Sequence, residues 1–478
     1  MLWLALHFRL LPLEVFTRGA EQTQPLAIAA APGNQAELIA VNAHASGLGV
    51  HCGMTASAAC ALAAGLHIIP RDGTRELATL KRIAAWGMQF TSLASIAEPS
   101  AVLLEIEGSL KLFNGLSPLY RRIRDGLKQL GLDSVMACAP TPLAAQLFAR
   151  AGLAARIQHR DALRHALGKL PVSLLEAHDP AQLQRYGIHT IAECLQLPRD
   201  GLTRRAGQAL LDDLDRALGL TPDPRVPYTP PRTHHATLPL PAPAASTEAL
   251  LFAARRLLAE LCGWLTAIGC GVQCPRFVFT HEKQLVTEVT LELSSASREL
   301  DHLATLLRER LARVALPSAV IEIALHSGRI TPLASRNTSF LPDNPSAADS
   351  ALRLIERLRA RLGADALQGV MPWPDHRPEH AWRACQPGAR YADVQPISTA
   401  RPLWLIVPPK PLREINARPH DGGPLSLLAG PERIEAGWWD GRYAARDYFI
   451  ARNEAHALLW IFRERGVDAR WFLHGVFA

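Results

Sequence analysis

Residues able to do chemistry are sparse in this chain. Glu105 and Glu107 stand two apart in the apolar run "LLEIEGSLKLF", so on a strand they share one face and offer hard oxygen ligands to a cation such as Mg²⁺. The opening run "LWLALHFRLLPLE" carries no acidic residue from Leu2 to Leu13. His7 is its one imidazole, and a lone imidazole suits Zn²⁺ better than Mg²⁺. The eight cysteines are scattered, and the closest pair, Cys270 and Cys274, has no second Cys or His pair at zinc-finger distance, so reduced thiols are expected. Leu183, Tyr186, Gly187, Ile188, Thr190 and Leu195 form the pattern of a helix-hairpin-helix. Its Gly-containing turn either offers backbone N–H groups to a nucleic-acid phosphate or simply packs two helices together.

Those groups need elements to hold them. Leu2 to Phe8, Val102 to Glu107 and Val135 to Cys138 read as strands. Between the last two, Leu116, Leu119, Tyr120, Ile123, Leu127 and Leu130 recur at threes and fours, which predicts a helix with Arg121, Arg122 and Arg124 elsewhere on its surface. "TPLAAQLFARAG" predicts another, with Pro142 near its start and Gly152 at its end. Residues 1–165 therefore form an α+β domain, and residues 166–232 a helical one that runs out through the Pro-rich, extended "TPDPRVPYTPPRTHH". Residues 233–332 follow the order βαββαβ, a small open sheet with two helices on one face. Residues 333–396 read as a linker that is irregular apart from one helix, Ala351 to Leu362, and the aromatic-rich residues 397–478 predict a compact antiparallel β module.

Bulk properties narrow the class. With 478 residues, 48% hydrophobic and 20% charged, the chain has length for several domains, each with its own core. A formal charge of +7, carried mostly by Arg, permits a polyanionic partner without demanding one. The apolar start lacks a basic leader and is interrupted by Arg9 and Glu14, so the expectation is a cytoplasmic protein with no export signal and no membrane span.

Taken in order, "GLGVHCGMTASAACAL", "LLEIEGSLKLFNG", "TPLAAQLFARAG", the helix-hairpin-helix and the βαββαβ segment resemble a Y-family translesion DNA polymerase. They correspond to fingers, palm, thumb and little finger. The tail "GPERIEAGWWDG…RDYFIAR…LLWIFRE…WFLHGVFA" is similar to the C-terminal module of the ImuB-type, polymerase-like branch of that family. The fold class implied is α+β and multi-domain: palm and fingers (1–165), helical thumb (166–232), little finger (233–332), linker (333–396) and C-terminal antiparallel β module (397–478).

The resemblance also locates what is missing. Active relatives hold two Mg²⁺ ions with an Asp in the first palm strand and an Asp-Glu pair at the start of a later one. The first position falls between Ala5 and His7, and the pair falls on Ser100 and Ala101. The Tyr and Arg that grip the nucleotide's triphosphate correspond to Ala43 and Ser46. The implied protein is catalytically inactive and needs no cofactor or metal. It binds damaged or primed DNA through Gly187, Ile188, Arg255, Arg256 and Arg276, and docks on the sliding clamp through Phe340 and Leu341. Through Trp438, Trp439, Trp460 and Trp471 it would recruit a RecA-like accessory protein and an error-prone C-family polymerase in SOS mutagenesis. Two rivals stand beside this reading: an active translesion polymerase rebuilt around Glu105 and Glu107, and a plain DNA-binding protein with no polymerase partner.

Overall fold

A computed structural model describes residues 1–18, 24–175, 180–185, 187–333, 347–388, 400–466 and 469–477. Tyr186, Phe340 and Leu341 lie outside the described residues. The chain divides into two compact units, Met1–Ser350 and Ala351–Ala478. The fold class is the expected one, mixed helix and sheet with an antiparallel C-terminal module.

The first unit begins with β1 (Trp3–His7), α1 (Leu11–Thr17), β2 (Leu26–Ala29), β3 (Leu38–Val41), α2 (Ala43–Gly47), α3 (Ala56–Leu62), β4 (His67–Pro70) and α4 (Gly73–Gly87). It continues with β5 (Ala94–Ala97), β6 (Ala101–Glu105), α5 (Leu116–Gln129), β7 (Val135–Ala139) and α6 (Pro142–Arg150). The central sheet is antiparallel in the order β5-β6-β1-β7, and β3-β2-β4 make a smaller one. Its inner position explains the unbroken apolar character of β1. Leu4 and Leu6 pack against Leu80, Ile83, Leu119 and Ile123 on one face, while Trp3 and Ala5 pack with Ala145 and Phe148 on the other.

Short helices follow: α7 (Arg160–Gly168), α8 (Pro180–Arg185), α9 (Ile191–Gln196), α10 (Arg199–Ala206) and α11 (Gln208–Leu218). Leu163, Leu167, Leu183, Ile191, Leu210 and Leu214 join the same cluster as α6, so this helical stretch covers one face of the central sheet. The Pro-rich stretch after α11 has no regular structure but is tied down: Tyr228 N–H donates to the Ala94 carbonyl, and Asp223 accepts from Leu143 N–H.

Next come β8 (His235–Ala244), α12 (Thr247–Ala267), β9 (Cys270–Val272), β10 (Arg276–His281), β11 (Val286–Thr290), α13 (Leu300–Leu311), β12 (Val320–His326) and β13 (Ile330–Pro332). The expected βαββαβ order holds as an antiparallel sheet, β11-β10-β12-β8, with an extra β9–β13 ladder that sequence patterning misses because each strand has three residues. The helix α12 is apolar on most sides because it also packs on α4: a Cβ placed on Gly263 would lie 2.1 Å from Trp86 Cδ1. Beside this contact, buried Glu260 pairs with Arg18, the C-cap of α1, and lies 3.2 Å from Arg82 of α4.

The second unit contains most of α14 (Ala347–Leu362), then β14 (Gly369–Pro372) and β15 (Trp382–Cys385), which form a hairpin where irregular chain was expected. All eight residues of the two strands are exposed or half-buried, so their alternation is too weak to announce the pairing. After these, β16 (Trp404–Ile415), β17 (Arg418–His420), β18 (Ser426–Ala436), β19 (Ala444–Arg452), β20 (Leu458–Glu464) and β21 (Trp471–Val476) build an antiparallel sheet in the order β17-β16-β21-β20-β19-β18. Its core includes Tyr448 stacked on Trp460, with ring centroids 4.1 Å apart, together with Phe462 and Ile434.

Candidate functional site

Strand register brings together Ala5, His7, Ser100 and Ala101, the positions that the sequence resemblance aligns with metal-binding carboxylates. His7 pairs with Ala101, and Ala5 with Leu103, so Ala5, His7 and Ala101 share one face of the sheet. Ser100 completes the group: its carbonyl accepts from Phe8 N–H at 2.8 Å, and its hydroxyl lies 3.2 Å from His7 Nδ1. Burial, then the positive charges of Arg150 and Arg9, hold the His7 pKa below the usual imidazole range. The site thus presents two methyl groups, a hydroxyl and a neutral imidazole beside two guanidinium groups. That donor set does not fit Mg²⁺, which takes anionic oxygens, and its electrostatics oppose a divalent cation. Among the described residues, no three His, Cys, Asp or Glu side chains gather closely enough to hold a metal ion.

Glu105 and Glu107 do not share a sheet face. Ile106 adopts φ −116° and ψ −5°, which ends the alternation, and Glu107 opens a 3₁₀ turn instead. The Glu105 carboxylate accepts from the N–H groups of Leu2 and Glu107, and Glu107 pairs with the Met1 amino group. Both are used locally, and Glu105, four residues along β6 from Ala101, is roughly 13 Å from the His7 position at strand rise.

In the small sheet's helix α2, Ala43 and Ser46 are exposed and carry no charge. The residue that matters locally is Asn42, which sequence reading passed over. Its side chain accepts from Ala45 and Leu26 N–H and donates to the Gln24 carbonyl, the work of a helix N-cap. An Asn immediately before the helix was the available signal.

The expected DNA-contacting residues lie on three elements: the turn before α9, the helix α12 and the strand β10. Gly187 has φ +74°, as a tight turn requires, and its N–H donates to Gln184. Ile188 is buried and donates to Leu183, while His189 and Thr190 N–H donate to the Glu193 carboxylate in a capping box. All these turn N–H groups have acceptors within the chain. Arg255 and Arg276 are exposed and pair with Asp301 and Glu288. Arg276 stands beside His326, whose ring lies 4.3 Å from that of His235 across the sheet. Arg256 is half-buried, with its pKa lowered to about 10 by burial and then by Arg18.

The four tryptophans of the C-terminal module divide in two. Trp460 and Trp471 are 2% and 5% exposed and belong to the core, which removes them as interface anchors. Trp438 and Trp439 are 76% and 56% exposed, meet edge to face at 5.4 Å, and sit in the β18–β19 loop with exposed Tyr443. That loop is fixed from below by Arg377, 3% exposed, which donates to Asp375 and Asp440 and to the Arg442 carbonyl. The Arg377 hydrogen bonds hold the Asp440 carboxyl down to about 2.

Residues 17–150 match the family described as impB/mucB/samB. Protein ImuB from two strains of Caulobacter vibrioides is 28% identical over 461 residues, spanning 90% of this chain and 100% of the relative. Among solved structures, a Y-family DNA polymerase chimera is 17% identical with a TM-score of 0.41, covering 70% of this chain and 100% of its own. DinB from Sulfolobus solfataricus is 18% identical with a TM-score of 0.40, covering 68% of this chain and 98% of its own.

Proposed function

We propose that this chain is a polymerase-like adaptor in the response to DNA damage: it binds DNA and brings an error-prone polymerase to it without adding nucleotides itself. The observation that carries the reading is the metal position, where His7, Ser100 and Ala101 meet beside Arg150 and Arg9. Two-metal phosphoryl transfer has no route through such a set of groups. The similarity to Protein ImuB along 90% of the chain supports the polymerase-like frame.

Arg255 and Arg276 are the proposed contacts to DNA phosphates, because exposed ion pairs are weak enough for a phosphate to compete with their partners. Trp438 and Trp439 are the proposed anchors for a RecA-like accessory protein or a C-family polymerase. Large aromatic side chains on a fixed loop lose little freedom on binding and concentrate affinity. The clamp contact is assigned to Phe340 and Leu341 on sequence alone. The proposed location is cytoplasmic, and no described helix is long and apolar enough to cross a membrane.

Primer extension tests the reading. No template-directed incorporation with Mg²⁺ or Mn²⁺ is expected; incorporation abolished by Glu105→Ala would establish the active-polymerase alternative.

A further inference from the structure

Helices α1, α2 and α12 and the turn after α5 enclose a cleft of about 410 Å³, lined by Leu13, Glu14, Arg18, His44, Gly131 and Arg256 among others. Two of its charged groups have unused hydrogen-bonding capacity. Glu14 is 8% exposed; one carboxyl oxygen accepts from Asp133 N–H at 2.7 Å, and the buried Oε2 has no partner among the described residues. Arg256 reaches in from α12 with its guanidinium 4.3 Å from the Phe252 ring centre. It lies so close to the chain at Gly131 that a Cβ there would be 2.7 Å from Arg256 Cζ. Among the described residues its buried Nη1 has no partner, whereas the neighbouring Arg18 is satisfied by Glu260. Both residues line the cleft, and a buried donor and a buried acceptor are each costly to leave unmade.

We propose that this cleft binds a phosphate group that still carries a proton, its anionic oxygens accepting from Arg256 and its P–OH donating to Glu14. The pairing selects among anions. Inorganic phosphate keeps one P–OH at pH 8, whereas sulfate keeps none, so only phosphate satisfies an ionised Glu14. Burial raises the Glu14 carboxyl to about 7. Below that value Glu14 itself becomes the donor, and the selection disappears. The charged and titratable groups around it are Arg18 on its own helix, His44 on α2, Asp133 after α5, and Arg256 and Glu260 on α12. None of this depends on whether the chain copies DNA.

Isothermal titration of the full-length chain with sodium phosphate and sodium sulfate at pH 8 and pH 6 reads the site. At pH 8, one unit above the Glu14 value, phosphate is expected to bind about tenfold tighter than sulfate. At pH 6 the two converge. Glu14→Gln, whose amide donates at either pH, keeps binding but loses the pH 8 selection. Arg256→Lys, which keeps the charge and removes the planar fork, weakens phosphate about tenfold. Thermal melting of both variants checks that they fold, and in the native chain phosphate raises the melting temperature at pH 8 more than the same concentration of sulfate does. A 5′-phosphorylated oligonucleotide compared with its unphosphorylated form at pH 6 separates the sources: tighter binding assigns the site to strand ends, equal binding to free phosphate. Equal affinity for phosphate and sulfate at pH 8, or phosphate binding unaffected by Arg256→Lys, overturns the proposal.

Discussion

His7 Nδ1 lies 3.2 Å from the Ser100 hydroxyl, across two strands whose register sets His7 opposite Ala101. In a polymerase of the resembling family these positions would carry anionic oxygens; here they hold a neutral hydrogen-bonded pair. His7 is therefore assigned a structural part. His7→Ala is expected to lower unfolding free energy by about 1 kcal/mol, the net worth of one hydrogen bond, and to leave DNA affinity unchanged. Urea unfolding and fluorescence anisotropy check the two halves of that statement.

Glu260 ties α12 to α1 and α4 through Arg18 and Arg82, whose side chains are 1% and 17% exposed. Removing the carboxylate leaves the buried Arg18 cation unpaired beside the mostly buried Arg82. Glu260→Gln should cost about 3–5 kcal/mol in denaturant unfolding, much more than breaking a surface pair. Gly263→Ala should also destabilise, by about 1–3 kcal/mol, because its methyl group collides with Trp86.

Glu14 gives the first unit a pH-dependent component. Its carboxyl sits at about 7 in the fold, above its ordinary 4.5, so the folded state binds the proton more tightly than the unfolded one. That contribution is fully present below about 4.5 and is lost as pH rises through about 7. The loss amounts to about 3 kcal/mol by linkage. Urea unfolding of the native chain and Glu14→Gln across pH 4.5–8 should show the difference between them changing in that window and flat above it.

In the C-terminal module the two classes of tryptophan should separate cleanly. Trp438→Ala is expected to leave stability within about 0.5 kcal/mol while weakening partner capture by about 2 kcal/mol or more. Trp460→Ala should cost about 3–5 kcal/mol of stability. Arg377→Lys tests the loop's preorganisation: with the planar fork gone, partner affinity should fall while the Trp438 and Trp439 side chains remain.

For DNA, Arg255→Ala and Arg276→Ala should each reduce the slope of log affinity against log salt by about 1 if they neutralise phosphates. Unchanged slopes would remove them from the interface.

Much of this architecture was legible in the sequence because local pattern and tertiary role agree. The unbroken run Trp3–His7 belongs to an inner strand covered on both faces, and α5 follows the spacing from Leu116 to Leu130. The missing carboxylates were also legible, since absence from Leu2 to Leu13 does not depend on register. What escaped was set at long range or by a single dihedral. Nothing near Glu260 announces Arg18, 242 residues earlier. Nothing in the alternation of Glu105 and Glu107 shows that Ile106 turns helical between them. Aromatics in short strands do not declare which face is inside, so Trp460 and Trp471 could not be told from Trp438 and Trp439 until the sheet was assembled. Arg377 lies in a stretch read as linker, and its partners Asp375 and Asp440 straddle 65 residues of chain.

The most direct measurement is primer extension by the full-length chain on undamaged and lesion-bearing templates, with Mg²⁺ and with Mn²⁺, beside His7→Asp and Glu105→Ala. The account predicts no template-directed incorporation by the native chain under any of these conditions, with DNA binding intact by anisotropy. Incorporation by the native chain that disappears in Glu105→Ala would contradict it.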